Sequence, residues 1–116
     1  MTYNIVFIMP DQLRADFVGC YGADFVDTPH IDRLAEQGVR YQHAISPSPL
    51  CVPARASLLT GRNAIRNGVL DNLHWLRPDN GEMGITTWAE DLQGAGYQTA
   101  AIGKMHFYPW DASEGF

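Results

Sequence analysis

The stretch "NIVFIMPDQ" constrains the fold of this chain more than any other. Apolar residues 5–9 stop abruptly at Pro10 and a polar pair, the pattern of a strand buried on both faces that delivers Asp11 at its carboxyl end. The next segment, "DTPHIDRLAEQG", has helical spacing. Thr28 stands at the cap, Pro29 fits the first helical position, Ile31, Leu34 and Ala35 share a face, and Gly38 permits a left-handed stop. "VRYQHAI" then predicts a strand and "SPSPLC" a rigid loop. A helix is expected over residues 53–60 with Gly61 as its stop, and residues 63–84 read as loop. A further helix begins at Thr87, where Glu90 completes a capping box; Trp88 and Leu92 share a face, and Gly94 and Gly96 end it. "YQTAAIGKMHF" closes the series as a strand that runs into Gly103 and delivers Lys104 and His106.

Strands alternating with helices predict an α/β fold with a parallel, doubly wound sheet and flanking helices, whose ligands collect at the carboxyl ends of the strands. Three strands are few for a finished sheet, and "DASEGF" carries no stop signal. Residues 1–116 are therefore expected to be the amino-terminal part of a larger domain.

Composition narrows the partners. The 46% hydrophobic content of 116 residues is enough for a packed core, while eight basic against thirteen acidic residues leave a net charge of −5. That balance argues against a broad basic surface for nucleic acid or anionic membrane, yet a few local cations can still define a site for a small anion. No apolar run approaches the ~20 residues needed to span a bilayer, and residues 5–9 are too short and poorly flanked for a secretory signal. The expectation is a cytoplasmic chain in which Cys20 and Cys51 are thiols rather than a disulfide.

Of those two thiols, Cys51 stands where a helix begins, in "PLCVPARASLLTGR". A helix amino terminus offers unpaired N–H groups and partial positive charge, which favour an anion or a thiolate, and Arg55, one turn on, adds a guanidinium to the same face. The alternative is a buried cysteine and a surface arginine without chemistry. The whole string "CVPARASLLTGR" resembles the sulfatase signature, with Cys51, Pro53, Ala54, Arg55, Leu58, Thr60, Gly61 and Arg62 at its defining positions. A second stretch, "GYQTAAIGKMHF", is similar to the strand and loop that bring a lysine and a histidine to the sulfate in that family. The likeness extends to "NIVFIMPDQLRADFVGCYG" and "TPHIDRLAEQGVRY" and so covers nearly all of the chain.

This resemblance implies an alkaline-phosphatase-like fold and hydrolysis of a sulfate ester, of an aryl or choline type, through formylglycine made from Cys51 by a formylglycine-generating enzyme. It implies Cys51, Arg55, Lys104 and His106 as catalytic residues, with Lys104 neutralising the sulfate oxygens and His106 bonding the hydroxyl that does not attack. Asp11 and the modified Cys51 would be ligands of a divalent metal, calcium first, with manganese or magnesium as alternatives. An acid after a strand also commonly caps a loop. In the commonest family pattern a second aspartate follows; here position 12 is Gln12, which removes one negative charge. With "SPLCVPARAS", "GVLDN" and "GKMHF", that pair looks most like choline sulfatases and neighbouring phosphonate monoester hydrolases. Asn72 sits where such an enzyme would bind the sulfate through an amide, although an asparagine in a turn is an equally ordinary reading.

The remaining metal ligands and the leaving-group acid have no counterpart in this sequence, so the segment alone is expected to be inactive. The implied partners are a small-molecule sulfate ester and the modifying enzyme, with neither nucleic acid nor membrane; the oligomeric state, a homo-oligomer included, stays open. Two alternatives accompany the sulfatase reading: a phosphonate or phosphate ester hydrolase of the same fold, and a non-catalytic anion-binding fragment. His30, His43 and His74 are expected at the surface or in packing, and Trp75, Trp88 and Trp110 in the core or along a pocket.

Overall fold

Pro29 opens the first helix, as its fixed φ and missing N–H allow, and α1 runs over Pro29–Gln37 in a computed structural model that describes residues 3–107, 109 and 113–116. Trp110 lies outside the described residues. The chain divides into two units, Met1–Ala44 and Ile45–Phe116.

In the first unit, two 3-10 turns, Ala15–Phe17 and Gly19–Tyr21, precede α1. Thr28 occupies the cap position, but its side chain does not cap the helix. Its hydroxyl instead accepts from the Gly19 amide at 2.8 Å and donates to the Asp32 carboxylate at 3.0 Å, while Asp32 Oδ1 accepts from the Cys20 amide at 2.7 Å. Asp32 thus clamps the 3-10 turn to the first turn of the helix. A Cβ on Gly19 would stand 2.5 Å from Asp32 Oδ2, so only glycine leaves room for the clamp. Gly38 has φ −126° and ψ −152°; the chain leaves α1 extended, without the left-handed stop expected of that glycine. Ile31, Leu34 and Ala35 do share a face, which lines an open groove with Val39 and Tyr41.

The three expected strands are not found. Among the described residues no strand pairing forms over residues 5–9, 39–45 or 97–106, and Val6, Ile8 and Val39 are 82%, 75% and 80% exposed. A strand of a parallel sheet needs ladder partners at its edges and helices over its faces, and these apolar runs have no neighbouring strand among the described residues. No helix among the described residues is long and apolar enough to cross a membrane.

The second unit is built around α2, Cys51–Thr60, which buries Val52, Pro53, Arg55, Ala56, Ser57 and Leu59 and stops at Gly61 with φ 63°. It starts two residues before the expected Pro53, so Cys51 is its first residue. A single-turn helix, α3 over Ala64–Asn67, interrupts the stretch expected to be loop. Asn63 caps it by accepting from the Arg66 amide at 3.0 Å, and one turn is too short to show a helical period in sequence. Helix α4, Trp88–Gly94, starts with the expected capping box: the Thr87 amide donates to Glu90 Oε2 at 2.7 Å and the Glu90 amide to Thr87 Oγ1 at 3.1 Å.

Val52, Ala56 and Leu59 of α2 pack with Val69, Trp75, Leu76, Ile85 and Phe107, and Trp88, Met105 and Phe116 close over them. Trp75 is therefore a core residue and Trp88, partly buried, packs against the core; the Trp75 and Phe107 rings lie 4.9 Å apart. Residues 113–116 return to this core. Trp75 Nε1 donates to Glu114 Oε1 at 2.7 Å, Thr87 Oγ1 to the Glu114 carbonyl at 2.8 Å, and Phe116 meets Trp88 edge to face at 5.5 Å.

Two outcomes are expected from this docking. Gly115 has φ 89°, and a Cβ there would collide with the Glu90 amide, so Gly115→Ala should destabilise the unit by about 2–3 kcal/mol in urea unfolding. Burial, and then the nearby Glu90, push the Glu114 carboxyl above its usual range against the opposing Trp75 N–H bond. A raised folded value means a stabilising proton that is held fully below the unfolded value and lost as pH rises through the folded one. Stability should therefore decline through the window just above the ordinary carboxylate range. Glu114→Gln, which keeps an acceptor for Trp75, should flatten that decline in urea midpoints between about pH 4 and pH 7.

Candidate functional site

Helix α2 begins without a polar cap of its own. Leu50 stands at the cap position with no side-chain bond to give, and the first helical bond runs from the Ala54 amide to the Leu50 carbonyl at 2.9 Å. Pro53 has no N–H. The Val52 amide is taken by a side chain from 20 residues away, donating to Asn72 Oδ1 at 3.0 Å. The helix terminus is thus less open to an anion than its sequence implies, because Val52 N–H is already engaged. Cys51 itself is exposed on the first turn, and Cys20 and Cys51 are both free thiols.

Arg55 follows one turn later and is only 7% exposed, which replaces the reading of a surface arginine. Its Nη1 donates to the Lys104 carbonyl at 2.5 Å. The guanidinium therefore joins α2 to the loop that carries Lys104 and His106, and a charge-assisted bond with little water nearby is a strong one. Within that loop Met105 packs against the core, while Lys104 and His106 on either side of it are exposed. Gly103 has φ 103° and His106 φ 62°, so the loop turns sharply on both sides of Lys104 and Met105.

Asn72 lies in a turn whose geometry Asp71 sets. Asp71 Oδ1 accepts from the Leu73 amide at 2.8 Å and stands 2.7 Å from His74 Nδ1. The His74 bond, followed by the Leu73 amide, holds the Asp71 carboxyl below its usual range. His30, His43 and His74 are all exposed, as expected.

The structure brings Cys51, Arg55, Asn72 and the Lys104–His106 loop into one unit, whereas Asp11 and Gln12 belong to the other. Among the described residues no three of His, Cys, Asp and Glu gather to hold a metal ion. Asp32 serves the clamp at Gly19 and Cys20.

Asn67 of the site's framework escapes sequence reasoning, and the signature residue Arg62 has a bond the signature does not reveal. Asn67 is buried, with Nδ2 donating to the Arg62 carbonyl at 3.1 Å and Oδ1 accepting from the Val69 amide at 2.9 Å, and so fastens the end of α2 to the chain beyond α3. Arg62 Nη2 donates to the Gly84 carbonyl at 2.5 Å. The capping role of Asn72 does leave a signal: apolar Leu50 before "CVP" leaves the Val52 amide in need of a distant acceptor.

A family model described as Sulfatase matches residues 3–116. The chain belongs to the sulfatase family. It is 43% identical over 109 residues to arylsulfatase D of Homo sapiens, covering 89% of this chain and 18% of that protein. It is 41% identical over 112 residues to an arylsulfatase of Clostridium perfringens (94% and 22%) and 40% identical over 113 residues to a choline-sulfatase of Rhizobium meliloti (97% and 21%). The chain spans about a fifth of the length of these relatives. No solved structure matches it significantly. Sulfatase membership implies the alkaline-phosphatase-like α/β fold; among the described residues there are helices and no strand pairing.

In this sulfatase chain, Arg55→Ala should lower stability by about 2–4 kcal/mol, since it strands the Lys104 carbonyl and opens a cavity beside α2. Denaturant unfolding followed by tryptophan fluorescence checks this, because Trp75 and Trp88 belong to the same core.

Proposed function

We propose that residues 1–116 form the amino-terminal part of a sulfatase catalytic domain that hydrolyses a small-molecule sulfate ester to an alcohol and sulfate. The observation that carries this reading is the Arg55 bridge: the helix that starts at Cys51 is bonded through its own guanidinium to the main chain of Lys104. A family signature and a second motif 49 residues away thereby meet in one place.

Formylglycine made from Cys51 would supply, as its hydrate, one hydroxyl to attack sulfur and a second whose deprotonation releases the sulfate. The modifying enzyme would be the partner that reads Pro53 and Arg55. The chain's own residues would then act on charge and protons. Arg55, held by the Lys104 carbonyl, would place its positive charge one helical turn from position 51. Lys104 offers an ammonium to the sulfate oxygens, which gain charge as the ester bond breaks. His106 would exchange a proton with the second hydroxyl. Asn72, with its oxygen on the Val52 amide, presents an NH2 group as the donor for a sulfate oxygen.

The family resemblance implies a divalent cation, calcium in the first place and manganese or magnesium otherwise, which carboxylate and hydroxyl oxygens suit by chemistry. The described residues do not complete its ligand set.

Two measurements on the full-length protein test this reading. The tryptic peptide containing residue 51, taken from the native host and treated with iodoacetamide, should appear as the aldehyde, about 18 Da below the free cysteine form, or as its hydrate, which unlike the cysteine gains no alkyl group. Cys51→Ala should abolish turnover of an aryl sulfate; retained turnover, or an unmodified cysteine in active protein, would overturn the mechanism. On matched aryl sulfate and aryl phosphonate substrates, kcat/KM should favour the sulfate by roughly tenfold or more, and the reverse order would assign the site to phosphonate esters.

A further inference from the structure

We propose that Asn72 is a positioning residue for position 51: its side-chain oxygen is the amino-terminal cap of α2, supplied from a distant turn. The sequence of the helix start makes this necessary. Leu50 has no polar group with which to cap, Pro53 removes one amide, and the Ala54 amide is satisfied by the Leu50 carbonyl. The Val52 amide needs an acceptor, and Asn72 Oδ1 meets it at 3.0 Å.

The turn that presents Asn72 is held on both sides. Val69 before it and Trp75 after it are core residues, 0% and 7% exposed, and Asp71 closes the turn by accepting from the Leu73 amide. Cys51 adjoins Val52 in the first helical turn, which frays most easily when a cap is lost. Arg55 ties the next turn to the Lys104 loop, so residue 51 is fixed by the Asn72 turn on one side and by the Arg55 bridge on the other. The orientation of the amide follows as well. Its oxygen faces the helix, and its NH2 end is what remains for a substrate.

The test uses the full-length protein labelled with 15N-valine, in wild-type, Asn72→Ala and Asn72→Asp forms. Alanine removes the acceptor, whereas aspartate keeps an acceptor for Val52 and removes the NH2 donor. Asn72→Ala should speed hydrogen exchange of the Val52 amide by about fivefold or more, and Asn72→Asp should restore it to within roughly twofold of wild type. The Val69 amide, bonded to Asn67 Oδ1, should be unchanged in both and reports that the unit stays folded. On an aryl sulfate, Asn72→Asp should raise KM through charge repulsion and lower kcat less than Asn72→Ala does.

Unchanged Val52 exchange in Asn72→Ala, or an aspartate variant that exchanges like the alanine one, overturns the proposal. The activity arm rests on the proposed function, and the exchange arm does not. A wild-type protein inactive on sulfate esters would sink the sulfatase reading and leave the cap to be decided by exchange alone.

Discussion

A guanidinium buried beside the first turns of a short helix organises the second unit of this chain. Arg55 lies among residues that pack the core, and burying a charge is tolerable only when its donors find acceptors. The Lys104 carbonyl is one such acceptor, and it belongs to a loop 49 residues further along. That pairing draws the loop to the helix, and Met105 and Phe107 then pack against the core that Val52, Ala56 and Leu59 begin. Desolvation of one charge thereby fixes the meeting of two segments that sequence alone leaves far apart.

Helices were legible wherever local chemistry decides them. The capping box at Thr87 and Glu90, the proline at Pro29 and the left-handed glycine at Gly61 all follow from interactions within one turn. Strands were not, because their formation depends on partners that lie elsewhere. The apolar run at residues 5–9 has the composition of a buried strand and no ladder neighbour among the described residues. Thr28 and Gly38 show a subtler limit. Both occupy the positions their residue types favour, yet Asp32 engages the threonine hydroxyl and the chain leaves the glycine extended.

The site divides along the same line. Cys51, Arg55, Lys104 and His106 stand out through their motifs, and all four belong to one unit. What the motifs leave out is how the residues are held: the Arg55 bond to a main-chain carbonyl, the Asn72 cap, and the buried Asn67 that fastens the end of α2. Each of these depends on a partner brought close only by folding. The unpaired amides expected at the helix terminus are fewer by one for the same reason, since a distant asparagine engages the Val52 amide.

His106 carries a consequence for how such a site can change. With φ at 62°, its backbone lies in a region that asparagine, aspartate and glycine enter readily and that β-branched residues avoid. Inheritable variation at this position is therefore filtered by the main chain before any chemistry is assayed. A drift toward valine, isoleucine or threonine would have to bend the loop beside Lys104, whereas a drift toward asparagine would keep the loop and exchange an imidazole for an amide. The exchanges that leave the loop in place are thus those that retain a small polar group or none at all, which confines divergence of this corner to a narrow set of side chains.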